Sequence, residues 1–228
     1  MSSQPPSSIE LEFAKRYDQE HARVCQGTRP TGWARRLSLW RDEQLVRRAL
    51  KEAGEPGLIL DVACGAGRFW SVLAEHANRV ILATDNSQDM LNHAQTHHSA
   101  GLLKRVKTFQ GSAFTIGLSA NAVDCIFCMR LFQHVVSSEH RLVLLREFHR
   151  VSRDTVIISV QVDSGFNVRR REGLDIDQAT STGVAEYQLV SKAQVEGEFR
   201  QAGFEILDSR DFMPGWALSR VYVLRKLS

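Results

Sequence analysis

The 228-residue chain reads as an α/β protein: seven strands in a mostly parallel sheet, an antiparallel last strand, helices on both faces, and an N-terminal helical extension. Three observations carry that reading. Short apolar runs alternate with stretches of helical periodicity, the pattern of strands joined by helical crossovers. A glycine-bearing turn, "DVACGAGR", joins the first run directly to a helical stretch. The last two runs, "FEILDS" and "SRVYVLRK", are separated by a segment too short for a crossover helix, with a turn signal at Pro214–Gly215. They must therefore be antiparallel neighbours.

The elements follow in order. Residues 1–8 are rich in Ser and Pro, a composition that does not order by itself. From Ile9 to Ala53 the text is helical and basic, with Val46, Ala49, Leu50 and Ala53 at helical spacing, and "EAGEPG" ends it. "LILDVA" is the first strand, and Phe69, Val72 and Leu73 open a helix after the glycines. "RVILATD" is the second strand, and Ser87 is placed to cap a helix carrying Met90, Leu91 and Ala94. "RVKTFQG" and "AVDCIFCMRLF" are the third and fourth strands. Ser137 caps a helix marked by Leu144, Leu145, Phe148 and Val151, with Glu139 in its favourable first turn. "TVIISVQV" is the fifth strand. Residues 163–190 are polar, carry arginines and show no usable period. Ser191 and Gln194 form a capping box for a helix with the stripe Val195, Phe199 and Ala202, and Gly203 stands at its C-terminal stop. The division expected is a helical cap over 1–53 and one ligand-binding domain over 54–228, packed together as a compact unit.

Composition narrows the classes of function. The apolar fraction of 43% and charged fraction of 24% are those of an ordinary globule. A net charge of +3 permits an anionic partner without arguing for nucleic acid. Cys125 and Cys128 form a C-x-x-C string inside a strand, where residues three apart point to opposite faces, so they read as core residues and not as a metal pair. His93 and His97 have ligand spacing on a helix, but no third ligand is evident nearby, and no metal is expected. The first residues lack the apolar core of a secretory signal, and no run is long enough to span a bilayer. A reducing, cytoplasmic setting is the expectation; the oligomeric state is open.

The chemistry concentrates in "ILDVACGAGRFW". Open α/β sheets bind ligands outside the carboxyl ends of their strands. Gly65 and Gly67 permit positive φ and close approach to the backbone, and exposed N–H groups at the helix start favour an anionic group. Asp85 ends the second strand, where a carboxylate can accept two hydrogen bonds from a ribose diol. A nucleoside ligand follows. The dinucleotide fingerprint needs a small residue at position 70 for close helix–strand packing. The residue there is Trp70, which is expected to push the helix off the sheet and so to disfavour NAD or FAD. Asp61 would repel a pyrophosphate but suits a ligand bearing an amino group.

Six segments in order, "ILDVACGAG", "ATDNSQDML", "QGSAF", "DCIFCMRLFQHV", "REFHRV" and "QAGFEIL", resemble the class I methyltransferases that use S-adenosylmethionine. The resemblance implies a Rossmann-like sheet, S-adenosyl-L-methionine as cofactor and S-adenosylhomocysteine as product. It implies that Asp61, Ala63, Gly65 and Gly67 cradle the methionine portion, with Asp61 on the amino group, and that Asp85 binds the ribose. It places Asn86 and Met90 along the adenine, Ser112, Ala113 and Phe114 at its edge, and Met129 and Arg130 facing the sulfonium. Two positions depart from the pattern. Ala63 replaces the usual first glycine, and Ser112 replaces the usual aspartate, keeping an acceptor with less charge and implying weaker affinity.

Methyl transfer chiefly requires an acceptor placed in line with the donor, plus a base where the acceptor must lose a proton. His134, just past the fourth strand, is the candidate base, against a structural role at a helix start. Tyr17 fits a segment folding over the cofactor, or plain packing. "TRPTGWARRLSLWRDE" interleaves Trp33 and Trp40 with Arg29, Arg35, Arg36 and Arg41, and "NVRRRE" adds Arg169, Arg170 and Arg171. Such clusters suit an anionic or planar acceptor, or a solvated face. "MRLFQH" lacks the Asn/Asp-Pro-Pro-aromatic string of nucleic-acid amino methylation. The expected activity is therefore methylation of an O or N atom of a small, anionic acceptor, with a lipid or glycan acceptor open. The alternative is a catalytically inactive S-adenosylmethionine-binding regulator or scaffold.

Overall fold

The computed structural model describes residues 32–163, 190–212 and 219–227. Its elements in chain order are α1 (Trp33–Glu52), β1 (Leu58–Val62), α2 (Trp70–Leu73), β2 (Val80–Asp85), α3 (Gln88–His97), α4 (Ala100–Leu103), β3 (Val106–Gln110) and β4 (Val123–Cys128). A 3-10 turn (Phe132–His134), α5 (Ser138–Val151), β5 (Ser152–Asp163), β6 (Val190–Ser191), α6 (Lys192–Gln201), β7 (Phe204–Asp211) and β8 (Ser219–Lys226) follow. The sheet order is β3-β2-β1-β4-β5-β8-β7, with β6 beside the end of β5. β1 to β5 pair in parallel; β8 lies antiparallel to both β5 and β7. All seven expected strands are present and the expected antiparallel closure is found. The additional β6 has two residues, too few to show any period.

Alternation along the strands divides the interior into two layers, because successive side chains leave a strand on opposite faces. Ile59, Cys125, Phe127, Ile157 and Val223 pack with α1, α2 and α3 on one face. Leu60, Ile126, Cys128, Ile158 and Leu224 pack with α5 and α6 on the other. The two cysteines of the C-x-x-C string therefore lie buried in different layers, as their spacing requires. α1 buries Leu45, Val46, Ala49 and Leu50 in the first layer, so the helical extension is built onto the sheet.

Several local expectations are refined. The helix after the glycines is a single turn; the buried Arg79 takes its last carbonyl, that of Leu73, at 2.9 Å and ties it to the Pro56 carbonyl at 2.8 Å. Ser87 caps α3 as expected, accepting from the Met90 N–H. Ser137 occupies the N-cap of α5 but its hydroxyl makes no capping bond. Ser191 accepts from the Gln194 N–H, while the Gln194 amide turns away to Glu198. Gly203 has φ +85, and a Cβ there would meet His149 Nε2 at 2.9 Å.

The α5–α6 layer is held by a buried ion pair. Arg141 Nε donates to Glu198 Oε2 at 2.8 Å, Arg141 Nη2 to Glu198 Oε1 at 2.6 Å, and Arg141 Nη1 to the Val135 and Val136 carbonyls. The same guanidinium lies 5.9 Å from the Phe132 ring, so it supports the turn that carries His134. Arg141→Leu leaves Glu198 buried without its cation and is expected to cost about 3–5 kcal/mol in urea unfolding. A loss within about 0.5 kcal/mol, the range of an ordinary surface substitution, would show that the pair does not hold this layer.

Candidate functional site

The parallel register sets Asp61 beside Ala83 and Phe127, so the carboxyl ends of β1, β2 and β4 open at one edge of the sheet. Between β1 and α2 the backbone turns through positive φ at Ala63 (55°), Gly65 (54°) and Gly67 (71°). Ala63 holds a left-handed conformation that costs an alanine about 1–2 kcal/mol. The Cys64 N–H donates to the Thr84 carbonyl at 3.1 Å, tying the loop to β2.

Two buried carboxylates organise this loop. Asp85 Oδ2 accepts the Gly65 N–H at 2.8 Å and Asp85 Oδ1 accepts the Ser87 N–H at 2.9 Å. Asp61 Oδ2 accepts Trp70 Nε1–H at 3.0 Å. Burial drives the Asp61 carboxyl up to about 8; the indole bond opposes that shift and the nearby Asp85 charge adds to it. The same burial, with both carboxylates, pushes the Cys64 thiol far up, so it is a core thiol without nucleophilic character.

The expected consequence of Trp70 is corrected here. The indole does not displace the helix from the sheet: it is fully buried beneath the loop, and its N–H satisfies Asp61. A Cβ on Gly67 would lie 2.5 Å from the indole ring. Gly67 is thus required by Trp70 as well as by its φ, and not by ligand approach alone. A Cβ on Gly65 would reach Met90 Cε at 3.5 Å, which sets Met90 over the loop.

The remaining expected residues divide. Asn86 is exposed at the end of β2, its carbonyl accepting from Gln110 Nε2. Ser112 and Ala113 are half-buried beyond β3, and Ser112 Oγ accepts the Phe114 N–H at 3.1 Å. Phe114 belongs to the core layer under α5 and α6. Met129 packs against the α1 layer. His134 is half-buried on the 3-10 turn, its Nε2 3.3 Å from Gln133 Nε2. Arg130 has φ 68, its N–H donates to Ser159 Oγ at 2.7 Å, and its guanidinium bonds to Asp42 of α1 at 2.7 Å. Tyr17, Arg29, Arg169, Arg170 and Arg171 lie outside the described residues.

The sequence reading missed Asp42, Arg68 and Ser159. Asp42 is buried and receives hydrogen bonds from both Arg68 and Arg130. Of the helix's own cluster, Arg41 Nε donates to the Phe212 carbonyl at 3.0 Å, which is a docking contact, while Trp33 and Trp40 are exposed. Asp42 carried no signal: one acid among basic residues looks like a solvated charge.

Asp61 gives a pH-dependent test. Its folded carboxyl holds a proton up to about 8, whereas the unfolded one releases it in the ordinary carboxylate range near 4. Between those values the folded state binds more protons, so stability falls as pH rises. Compared with Asp61→Asn, the ligand-free protein should lose stability progressively from about pH 4 to about pH 8 in denaturant titrations. A difference between the two proteins that stays constant over that window would contradict the buried-carboxyl account.

Comparison with known proteins bears on this geometry. Residues 59–155, the span from β1 into β5, match the family model described as "Methyltransferase domain". None of the curated proteins compared matches the chain. Among solved structures, magnesium protoporphyrin IX methyltransferase from Synechocystis PCC 6803, with bound SAH, is 17% identical with TM-score 0.69, over 94% of this chain and 97% of that one. A SAM dependent methyltransferase from Aquifex aeolicus is 22% identical with TM-score 0.60, over 85% and 93%. The [4+2]-cyclase SpnF is 20% identical with TM-score 0.62, over 81% and 80%. At these identities the structures establish the fold, and the cyclase shows that the fold alone does not fix the reaction. The domain match takes in the glycine loop, Asp85 and the fourth strand, less than half of the chain, and the sheet that carries them has the fold of these methyltransferase structures.

Proposed function

We propose that the chain transfers the methyl group of S-adenosylmethionine to an O or N atom of a small, anionic acceptor. The observation that carries this reading is the pair of buried carboxylates, Asp61 and Asp85, flanking a loop with three positive-φ residues at the sheet's carboxyl edge. Two buried acids close enough for one to raise the other's pKa call for a cationic ligand between or beside them. S-adenosylmethionine carries an amino group, a ribose diol and a sulfonium, and fits the donor and acceptor set present.

In this reading Asp61 receives the amino group, with Trp70 fixing its second-side geometry, and Ala63, Gly65 and Gly67 shape the floor. Asp85 keeps its two backbone bonds and accepts the ribose hydroxyls. Met90 and Asn86 line one side of the adenine, Ser112 and Ala113 its edge, and Phe114 anchors that loop in the core. Met129 borders the methyl position. Held there, the cofactor would supply an electrophilic methyl carbon, whose bond to the sulfonium sulfur breaks as a lone pair of the acceptor takes it, leaving S-adenosylhomocysteine. His134 takes the acceptor's proton, from the turn directly after Met129 and Arg130. α1, the described part of the helical extension, brings Asp42 to this edge.

Asp85→Ala removes the ribose acceptor and frees the Gly65 and Ser87 N–H groups, so calorimetric affinity for S-adenosylmethionine should fall by at least about tenfold, the equivalent of about 1.4 kcal/mol. Formation of S-adenosylhomocysteine across a panel of small acids, phenols and amines should depend on His134, with His134→Asn lowering kcat and leaving cofactor affinity unchanged. Unaltered cofactor affinity in Asp85→Ala, or binding of NADH in place of S-adenosylmethionine, would overturn the reading.

A further inference from the structure

Arg68 follows the last glycine of the cofactor loop, and Arg130 follows β4. They come from opposite sides of β1's carboxyl end, yet both Nη2 atoms donate to the same oxygen, Oδ2 of Asp42. The two guanidiniums therefore stand within about two hydrogen-bond lengths of each other. Asp42 is buried on α1, and it is the partner that either guanidinium finds among the described residues. Each guanidinium has five N–H donors, so most remain for something else. Two positive charges on one carboxylate leave a net charge of about +1 at the mouth of the proposed site.

The arrangement is built, not incidental. Arg130 holds φ 68, a conformation unfavourable for a side-chain-bearing residue, and its N–H is pinned by Ser159 Oγ of β5. Arg68 is two-thirds buried and its guanidinium lies over the Phe69 ring, 5.0 Å from the centroid. Burial lowers the Arg68 pKa, and the Arg130 charge lowers it further, against the pull of Asp42. The next acid on α1, Glu43, adds a smaller pull on Arg68 while its carboxylate is bonded to Arg47. The two guanidiniums are therefore compensated chiefly by the single carboxylate of Asp42.

We infer that Arg68 and Arg130, converging on Asp42, form an oxyanion site that receives the carboxylate or phosphate of the methyl acceptor. The paired planar forks suit a bidentate oxyanion. Asp42 is a positioning residue: it aligns the forks and couples α1 to both loops. The site deepens the proposed function and rests on it for the identity of the bound molecule as acceptor.

The test uses the full chain, with and without S-adenosylhomocysteine, and three probes read by calorimetry: benzoate, phenyl phosphate and the neutral ester methyl benzoate. At least one anion should bind tenfold or more tightly than the ester, and the tighter of the two names carboxylate or phosphate as the group recognised. Arg68→Gln and Arg130→Gln should each weaken that anion at least tenfold, while Arg153→Gln, at the far end of β5, leaves it unchanged. Equal binding of anions and ester by the wild type overturns the site without recourse to any variant, as does unchanged anion affinity in both arginine variants. Failure of the wild type to bind S-adenosylhomocysteine would instead overturn the proposed function, and the anion measurements made without cofactor would still judge the site.

Discussion

Asp61 is a carboxylate at the end of a strand buried on both faces, and much of the local architecture is the cost of keeping it there. Its hydrogen bond from Trp70 Nε1 requires the indole to enter beneath the loop. The indole in turn excludes any side chain at Gly67, and the loop bends through left-handed backbone at Ala63, Gly65 and Gly67 to pass over it. The turn is tied down by Asp85, which holds the Gly65 N–H, and by the Thr84 carbonyl, which holds Cys64. The helix that follows has one turn, and Arg79 holds its last carbonyl, that of Leu73. Removing the Trp70 N–H would leave a buried acid with nothing to oppose its desolvation.

α1 joins the sheet at two levels. Its apolar stripe closes the first core layer, while Arg41 and Asp42 reach the C-terminal edge. Asp42 bonds to Arg68 after β1 and to Arg130 after β4, so one side chain links the helical extension to both loops around the proposed methyl position. Under the proposed function, this is how a segment outside the sheet bears on acceptor recognition while the sheet supplies the cofactor's floor.

The fold was legible because its signals are periodic and local. Apolar runs gave the seven strands, the short Pro–Gly connection gave the antiparallel closure, and Ser87, Ser191 and Gly203 marked helix ends that the structure contains. The loop of the candidate site was legible where backbone conformation dictates residue type, as at the positive-φ Gly65 and Gly67. It was not legible where one side chain serves another across the fold. Trp70 reads as an intruder until its partner Asp61 is seen. Arg68 and Asp42, 26 residues apart, meet only through packing of α1 on the sheet. Ser137 has the right type and place for a cap, but its hydroxyl makes no such bond, a matter of rotamer that no sequence pattern reports.

The central claim is that a desolvated Asp61 beside Asp85 is poised for a cation. Carbon-detected NMR of the Asp61 side-chain carboxyl, followed against pH with and without S-adenosylmethionine, tests it directly. The account predicts a midpoint near 8 in the free protein, where burial and Asp85 hold the proton on, and a clear downward shift when the cofactor's amino group is bound. A midpoint in the ordinary carboxylate range in the free protein, or one that the cofactor leaves unmoved, would contradict it.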